Sequence, residues 1–303
     1  MQLDKTLIAI HERGLLETLD LSLHTVRNYV WPLLVTFSLG AAPLMLLNHL
    51  LVSWIIDVEY RETYFYLEES SAILRYLWDM TLLVIIEAPL ASIFATKFLG
   101  NAVFVERPGI RTIVQDVFRM AGRVAWCQLL VRGILGAWLL LLTLERDEEF
   151  NVGVEVVLLG TLTAYTCLLR AFRPYVNEIV LLEQNPLIGQ GESTITVGKR
   201  SSHLHSPSSG DLFARWLGSA VIAILLTGTV FGTFLFVSGV FFNDWQPGPV
   251  MLLTAYPLSL WIVAGFMTVA RFLSYLDLRI RHEGWEVELL LRAEASRMMS
   301  RVA

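Results

Sequence analysis

Apolar residues gather into six long runs along this chain, at 30–55, 77–96, 124–144, 154–172, 214–241 and 249–270, parted by shorter polar stretches. A helix that crosses a bilayer needs about 20 mostly apolar residues, so each run predicts one crossing. The fold class that follows is all-α: a polytopic membrane protein with six transmembrane helices. Every run contains Gly or Pro. Membrane helices tolerate both when neighbouring groups re-satisfy the backbone.

A second periodicity lies between the runs. In residues 3–26, Leu3, Leu7, Ile10, Leu15, Leu19 and Leu23 recur near helical spacing. In 107–123, Ile110, Ile113, Val114, Val117 and Phe118 alternate with Arg111, Arg119 and Arg123. Both segments predict amphipathic helices lying in the membrane interface. The Ser- and Gly-rich stretch 189–211 reads as a mobile loop. The chain thus divides into an amphipathic segment 1–28, a transmembrane domain 29–272 and a C-terminal helix 273–303.

Composition supports the membrane reading. The chain is 55% hydrophobic and only 17% charged, against about 25% charged in soluble domains, and its mean hydropathy is +0.57. Acids are scattered through the first 30 residues, which lack the compact apolar core of a secretory signal. The first apolar run is therefore expected to remain in place as the insertion signal. Of the 23 Lys and Arg residues, 19 fall in alternate loops, at the run ends beside them and in both terminal segments, three (Arg61, Arg75, Arg146) on the opposite side, and Arg132 deep within a run. Positive charge marks the cytoplasmic side, so both termini are expected there, in a plasma (inner) membrane. The same basic end suits anionic lipid rather than nucleic acid.

Ionisable residues inside apolar runs are costly and usually face partners or water. Glu87 lies within the second run and Arg132 within the third. At about 1.5 Å rise per residue, Glu87 stands roughly 13 Å above Thr96 and Arg132 roughly 12 Å above Val124. Matching depth on consecutive antiparallel helices predicts an ion pair, either a structural lock or part of a solute or proton pathway. Pro89 frees the Ile85 carbonyl one turn earlier. Asn48, His49 and Asp79 lie further toward the acidic end, as lining for a vestibule or as interfacial and buried hydrogen-bonding groups.

Catalytic signatures fail on inspection. Around Gly198–Lys199, Ser193 stands where a phosphate-binding loop needs Gly, and Arg200 replaces its Ser or Thr. "EESSAILR" (68–75) has the wrong spacing for a paired-Glu intramembrane protease and lies in an outer loop. His203 and His205 have no carboxylate or Cys beside them in the sequence and read as solvated, not as metal ligands. Cys127 and Cys167 sit in apolar runs with no disulfide or metal spacing. No cofactor or metal is called for, and the balance of features is against an enzyme. Gly228 and Gly232 form a GxxxG pattern that permits close helix approach, within the bundle or between copies in a homo-oligomer. An Arg–Trp entry and a cation–Phe exit recur in three helical hairpins, which fits three repeats. Interfaces collect the same residues without any repeat.

The final run ends in "YLDLRIRHEGWEVEL" (275–289). Asp277 with Arg281, and Arg279 with Glu283, are four apart and can pair along a helix. Together with Trp285 they predict a cytoplasmic docking helix for a protein partner. This stretch, with "RPYVNEIVLLEQNPL" (173–187) and "EAPLA" (87–91), resembles uncharacterised bacterial multi-pass proteins grouped with glycerophosphodiesterase-type integral membrane domains. The resemblance implies a membrane-embedded helical bundle and carries over no catalytic residues. The function expected is a non-catalytic envelope assembly, scaffold or accessory subunit. The alternative is a transporter or channel subunit using the polar intramembrane residues.

Overall fold

The computed structural model describes residues 14–56, 66–103, 109–144, 152–189 and 195–283, and every regular element among them is helical. Helices α1 (Leu15–Asn28) and α2 (Val30–Trp54) follow one another with only Tyr29 between. Next come α3 (Tyr66–Ala91) and α4 (Ile93–Ala102), bent by 41° at Ser92. Pro89 has no N–H to return to the preceding turn, so the ladder weakens where the bend occurs. After α5 (Ile110–Arg119), α6 (Ala121–Ala125) runs into a π-helical stretch, Trp126–Val131. The chain then breaks at Gly133, whose φ is +74°, and turns by 57° into α7 (Ile134–Leu144). A left-handed φ is readily available to glycine. Helix α8 (Val152–Phe172) is followed by a short α9 (Val176–Glu178) and a second π-helical turn, Ile179–Glu183. Finally come α10 (Val197–His205), α11 (Ser209–Phe242) and α12 (Pro249–Glu283).

Four of these helices are long and apolar enough to cross a membrane, and six crossings result if each bent pair is one broken span. The protein is therefore a membrane-embedded helical bundle with four to six spanning helices. Helix α3 is central, touching α2, α7, α8 and α12, whereas α11 packs on α8 and α12 at the edge. At Gly40 of α2 an added Cβ would fall 2.1 Å from the Ala91 carbonyl oxygen, so glycine allows α2 to lie directly on the end of α3. The main core joins Leu51, Leu83, Ile134, Leu159 and Leu252. Two further clusters, around Tyr175, Ile179 and Tyr275 and around Phe98, Ile113 and Phe272, fill the basic end.

That second layer corrects several expectations. Residues 197–211 are helical rather than a loop. The Thr196 hydroxyl caps α10 by accepting the Lys199 N–H, and Val197, Leu204 and His205 are buried. Helix α5 turns Ile113 and Val117 into the protein, while Ile110 and Phe118 stay exposed. Helix α1 buries its small polar residues Thr18 and Ser22 and leaves Leu16 and Leu23 outside. The three hairpins also differ: the first has its break in the descending arm, the second in the ascending arm, and the third in neither. Residues 1–13 and Trp285 lie outside the described residues, and Glu283 is described only as the end of α12.

Candidate functional site

Glu87 and Arg132 do not pair. Glu87 is fully buried, and both its oxygens accept from neutral donors. Asn48 Nδ2 donates at 2.7 Å and Trp138 Nε1 at 2.5 Å. The acid therefore joins α2, α3 and α7 at mid-span. The expected partner is lost because the third run is not one straight helix. The chain bends by 57° at Gly133, Arg132 and Glu87 do not meet, and the Arg132 Nη2 donates instead to the Arg173 carbonyl at 2.9 Å. Asp79 is also fully buried in α3. His49, next to Asn48 in sequence, is exposed on the other side of α2 and does not join this cluster.

A denser polar node surrounds the α3–α4 break. Arg170, two residues before the end of α8, donates to the Ile85 and Ile86 carbonyls. Asn177 Nδ2 donates to the Pro89 carbonyl at 2.6 Å, and Ser92 Oγ donates to the same oxygen at 2.8 Å. Gln128, in the first π-helical stretch, donates to Asn177 Oδ1. Arg271 of α12 reaches Ser92 Oγ at 2.8 Å and the buried Glu178 carboxylate at 2.8 Å. Buried backbone acceptors need partners, and the proline-broken helix gains them here from two other helices, α8 and α9, and from Ser92 at the break itself.

Sequence reasoning singled out none of Arg170, Asn177, Glu178, Gln128 or Arg271 as a site. One signal was present. The segments "EAPLA" and "RPYVNEIVLLEQNPL", quoted separately for their resemblance, meet at Asn177 and Pro89.

Ion pairs extend this node through the basic end. Asp277, nearly fully buried, accepts from Arg215 of α11 at 3.0 Å and from Arg281 Nε at 3.1 Å. Glu183 accepts from Arg200 at 2.5 and 3.0 Å and from the Tyr275 hydroxyl at 2.8 Å, and Arg279 lies 3.9 Å away. Burial alone would raise the Glu183 carboxyl, but the Arg200 and Tyr275 hydrogen bonds and the two arginines hold it below its ordinary value. The described residues of the expected docking helix, Asp277, Arg279 and Arg281, thus bind their own chain. His205 is likewise internal. Its Nδ1 hydrogen-bonds the Ser201 carbonyl at 2.6 Å, and the Tyr175 N–H reaches Nε2 at 3.4 Å. Burial pushes its pKa down to about 4, with nearby Arg173 and Arg132 acting in the same direction. Of the two histidines in α10, His203 is the exposed one.

At the opposite end, Arg75 and Glu155 pair at 2.6 Å between α3 and α8, with the guanidinium 5.0 Å from the Trp54 ring centre. Gly228 and Gly232 face open space, since a Cβ at either would meet nothing within 4 Å. Their spacing is not used to pack the bundle. Among the described residues no three His, Cys, Asp or Glu side chains gather as a metal site. Set against family models, curated proteins and solved structures, the chain matches none.

Proposed function

We propose that this chain is a non-catalytic integral membrane protein that serves as an assembly or accessory subunit, with its basic end toward the cytoplasm. The observation that carries the reading is the buried ion-pair layer at that end. Arg271–Glu178, Arg215–Asp277 and Arg200–Glu183 tie α9 and its π-helical turn, α10, α11 and α12 together. Glu178 is fully buried, and removing its partner Arg271 should cost about 3–5 kcal/mol. A carrier has to open and close its two ends in turn, and this end resists opening. The transport alternative rests on Glu87, Asn48 and Asp79, buried near mid-span. Asn48 and Trp138 donate to the Glu87 carboxylate, and Glu87 does not line the groove between α11 and α12 or the cavity beside Trp126 and Arg173.

Purification in mild detergent, with identification of what co-elutes, tests the proposal. A partner protein recovered in fixed ratio supports the subunit reading. Solute or proton flux in proteoliposomes that disappears in Glu87→Gln would replace it with transport.

A further inference from the structure

The four arginines around one apolar groove are not equally compensated. The groove lies between α11 and α12, measures about 290 Å³, and is walled by Val84, Leu260, Val263, Met267 and Ala220. Arg132, Arg170, Arg215 and Arg271 all line it. Arg271 is answered by Glu178, and Arg215 by Asp277 and Asp211. Arg132 and Arg170 donate only to backbone carbonyls, those of Arg173 and of Ile85 and Ile86. Arg132 is 3% exposed and, among the described residues, donates one hydrogen bond, from Nη2. Arg170 Nε is buried without an acceptor. Both guanidiniums therefore line the groove with spare donors, and among the described residues neither makes an ion pair with a carboxylate, Glu178 acting on Arg132 only at longer range. A buried charge is costly unless it is paired.

We infer that this groove holds one anionic phospholipid of the surrounding bilayer, its phosphate on Arg132 and Arg170 and its acyl chains along the apolar wall. A phosphate oxyanion accepts two parallel N–H bonds from a guanidinium and cancels its charge. A free inorganic anion would satisfy the arginines but leave the apolar wall uncovered. A neutral lipid would cover the wall but leave the arginines uncompensated. Helix α11 forms the outer wall and has no buried residue across its most apolar stretch, so the groove borders lipid. Ligand pockets span about 300–1,000 Å³. This one therefore takes the headgroup and the first part of the chains, and the remainder stays in the bilayer. The inference is independent of whether the protein is a subunit or a carrier.

The test uses the full chain, purified in mild detergent and stripped of lipid, with bound lipid counted by intact-complex mass spectrometry. The probes are phosphatidylglycerol, phosphatidylcholine and inorganic phosphate. One phosphatidylglycerol should bind per chain, excess inorganic phosphate should not displace it, and phosphatidylcholine should bind weakly. The Arg132→Gln/Arg170→Gln variant should bind at least about tenfold more weakly, as expected for loss of charge-assisted contacts. Arg119→Gln, on the exposed side of α5, should bind like the parent. Arg170 also serves the α3 backbone, so Ala220→Leu/Ala264→Leu supplies a second arm. It fills the groove, keeps every arginine, and should lose the lipid without lowering the lipid-free melting temperature. Equal affinity for phosphatidylcholine, displacement by inorganic phosphate, or full lipid binding in the folded groove-filled variant would each overturn the inference.

Discussion

Arg170 closes the gap that Pro89 opens in α3. Its two terminal nitrogens donate to the Ile85 and Ile86 carbonyls, and the first of these is the oxygen that loses its helical donor to the proline. The contact crosses from the end of α8 to the middle of the bundle, so a local defect in one helix becomes a tertiary link between two.

Arg170→Gln should therefore destabilise the protein by about 1–3 kcal/mol for each carbonyl left without a donor. Pro89→Ala restores an N–H at position 89, and the arginine substitution should cost less in that background. Thermal unfolding in detergent of the two single variants and the double variant measures this. Simple additivity would show that Arg170 does not serve the proline gap.

The Glu87 cluster makes a separate prediction. Glu87→Leu and Trp138→Phe remove opposite ends of one buried hydrogen bond and should couple by about 0.5–3 kcal/mol. Glu87→Gln combined with Arg132→Gln should add without coupling, because the two side chains share no contact. Coupling in the second pair and none in the first would reverse the assignment.

Acidification should weaken the basic end in two stages. His205 is held neutral with its pKa lowered to about 4 by burial. The unfolded chain takes up that proton near pH 6.5. Stability from His205 is thus complete above about pH 6.5 and falls away toward pH 4, by about 3 kcal/mol in all. Glu183, whose carboxyl is held below its ordinary value, adds a loss at lower pH as the carboxylate protonates in the folded state. Melting temperature against pH should show the first loss in the parent and not in His205→Gln. An unchanged slope in that variant would assign the effect elsewhere.

Gly133→Ala tests the break in the third run. A side chain at φ +74° is strained, at about 1–3 kcal/mol, and its Cβ would lie 2.7 Å from the Leu162 side chain. Adding Leu162→Ala relieves the contact and leaves the backbone strain. Full recovery of the melting temperature in the double variant would mean that the φ value is not the constraint.

Long apolar helices were legible because run length and apolar composition are local properties. The runs at 30–55 and 154–172 correspond to α2, Val30–Trp54, and α8, Val152–Phe172. The intramembrane pairing was not legible, because it assumed a straight helix through "VRGILG". A glycine in the sequence reports permission for a left-handed φ and not its use. The vacant Ile85 carbonyl could be read from Pro89, but its donor could not, since Arg170 lies 85 residues further on. Helix α10 was hidden by its composition. Ser and Gly suggest a loop, whereas the capping hydroxyl of Thr196 and the buried Leu204 decide for a helix.

The Arg170 contact also imposes an order on synthesis. Helix α3 leaves the ribosome 85 residues before the arginine that completes it. At about 5–20 residues per second, that interval lasts roughly 4–17 s. Throughout it the nascent α3 carries an acceptor that hydrocarbon cannot satisfy. Its break must therefore stay beside water, headgroups or the insertion machinery until α8 arrives. Membrane entry and helix closure are separate events for this segment, and the second waits for a residue not yet made.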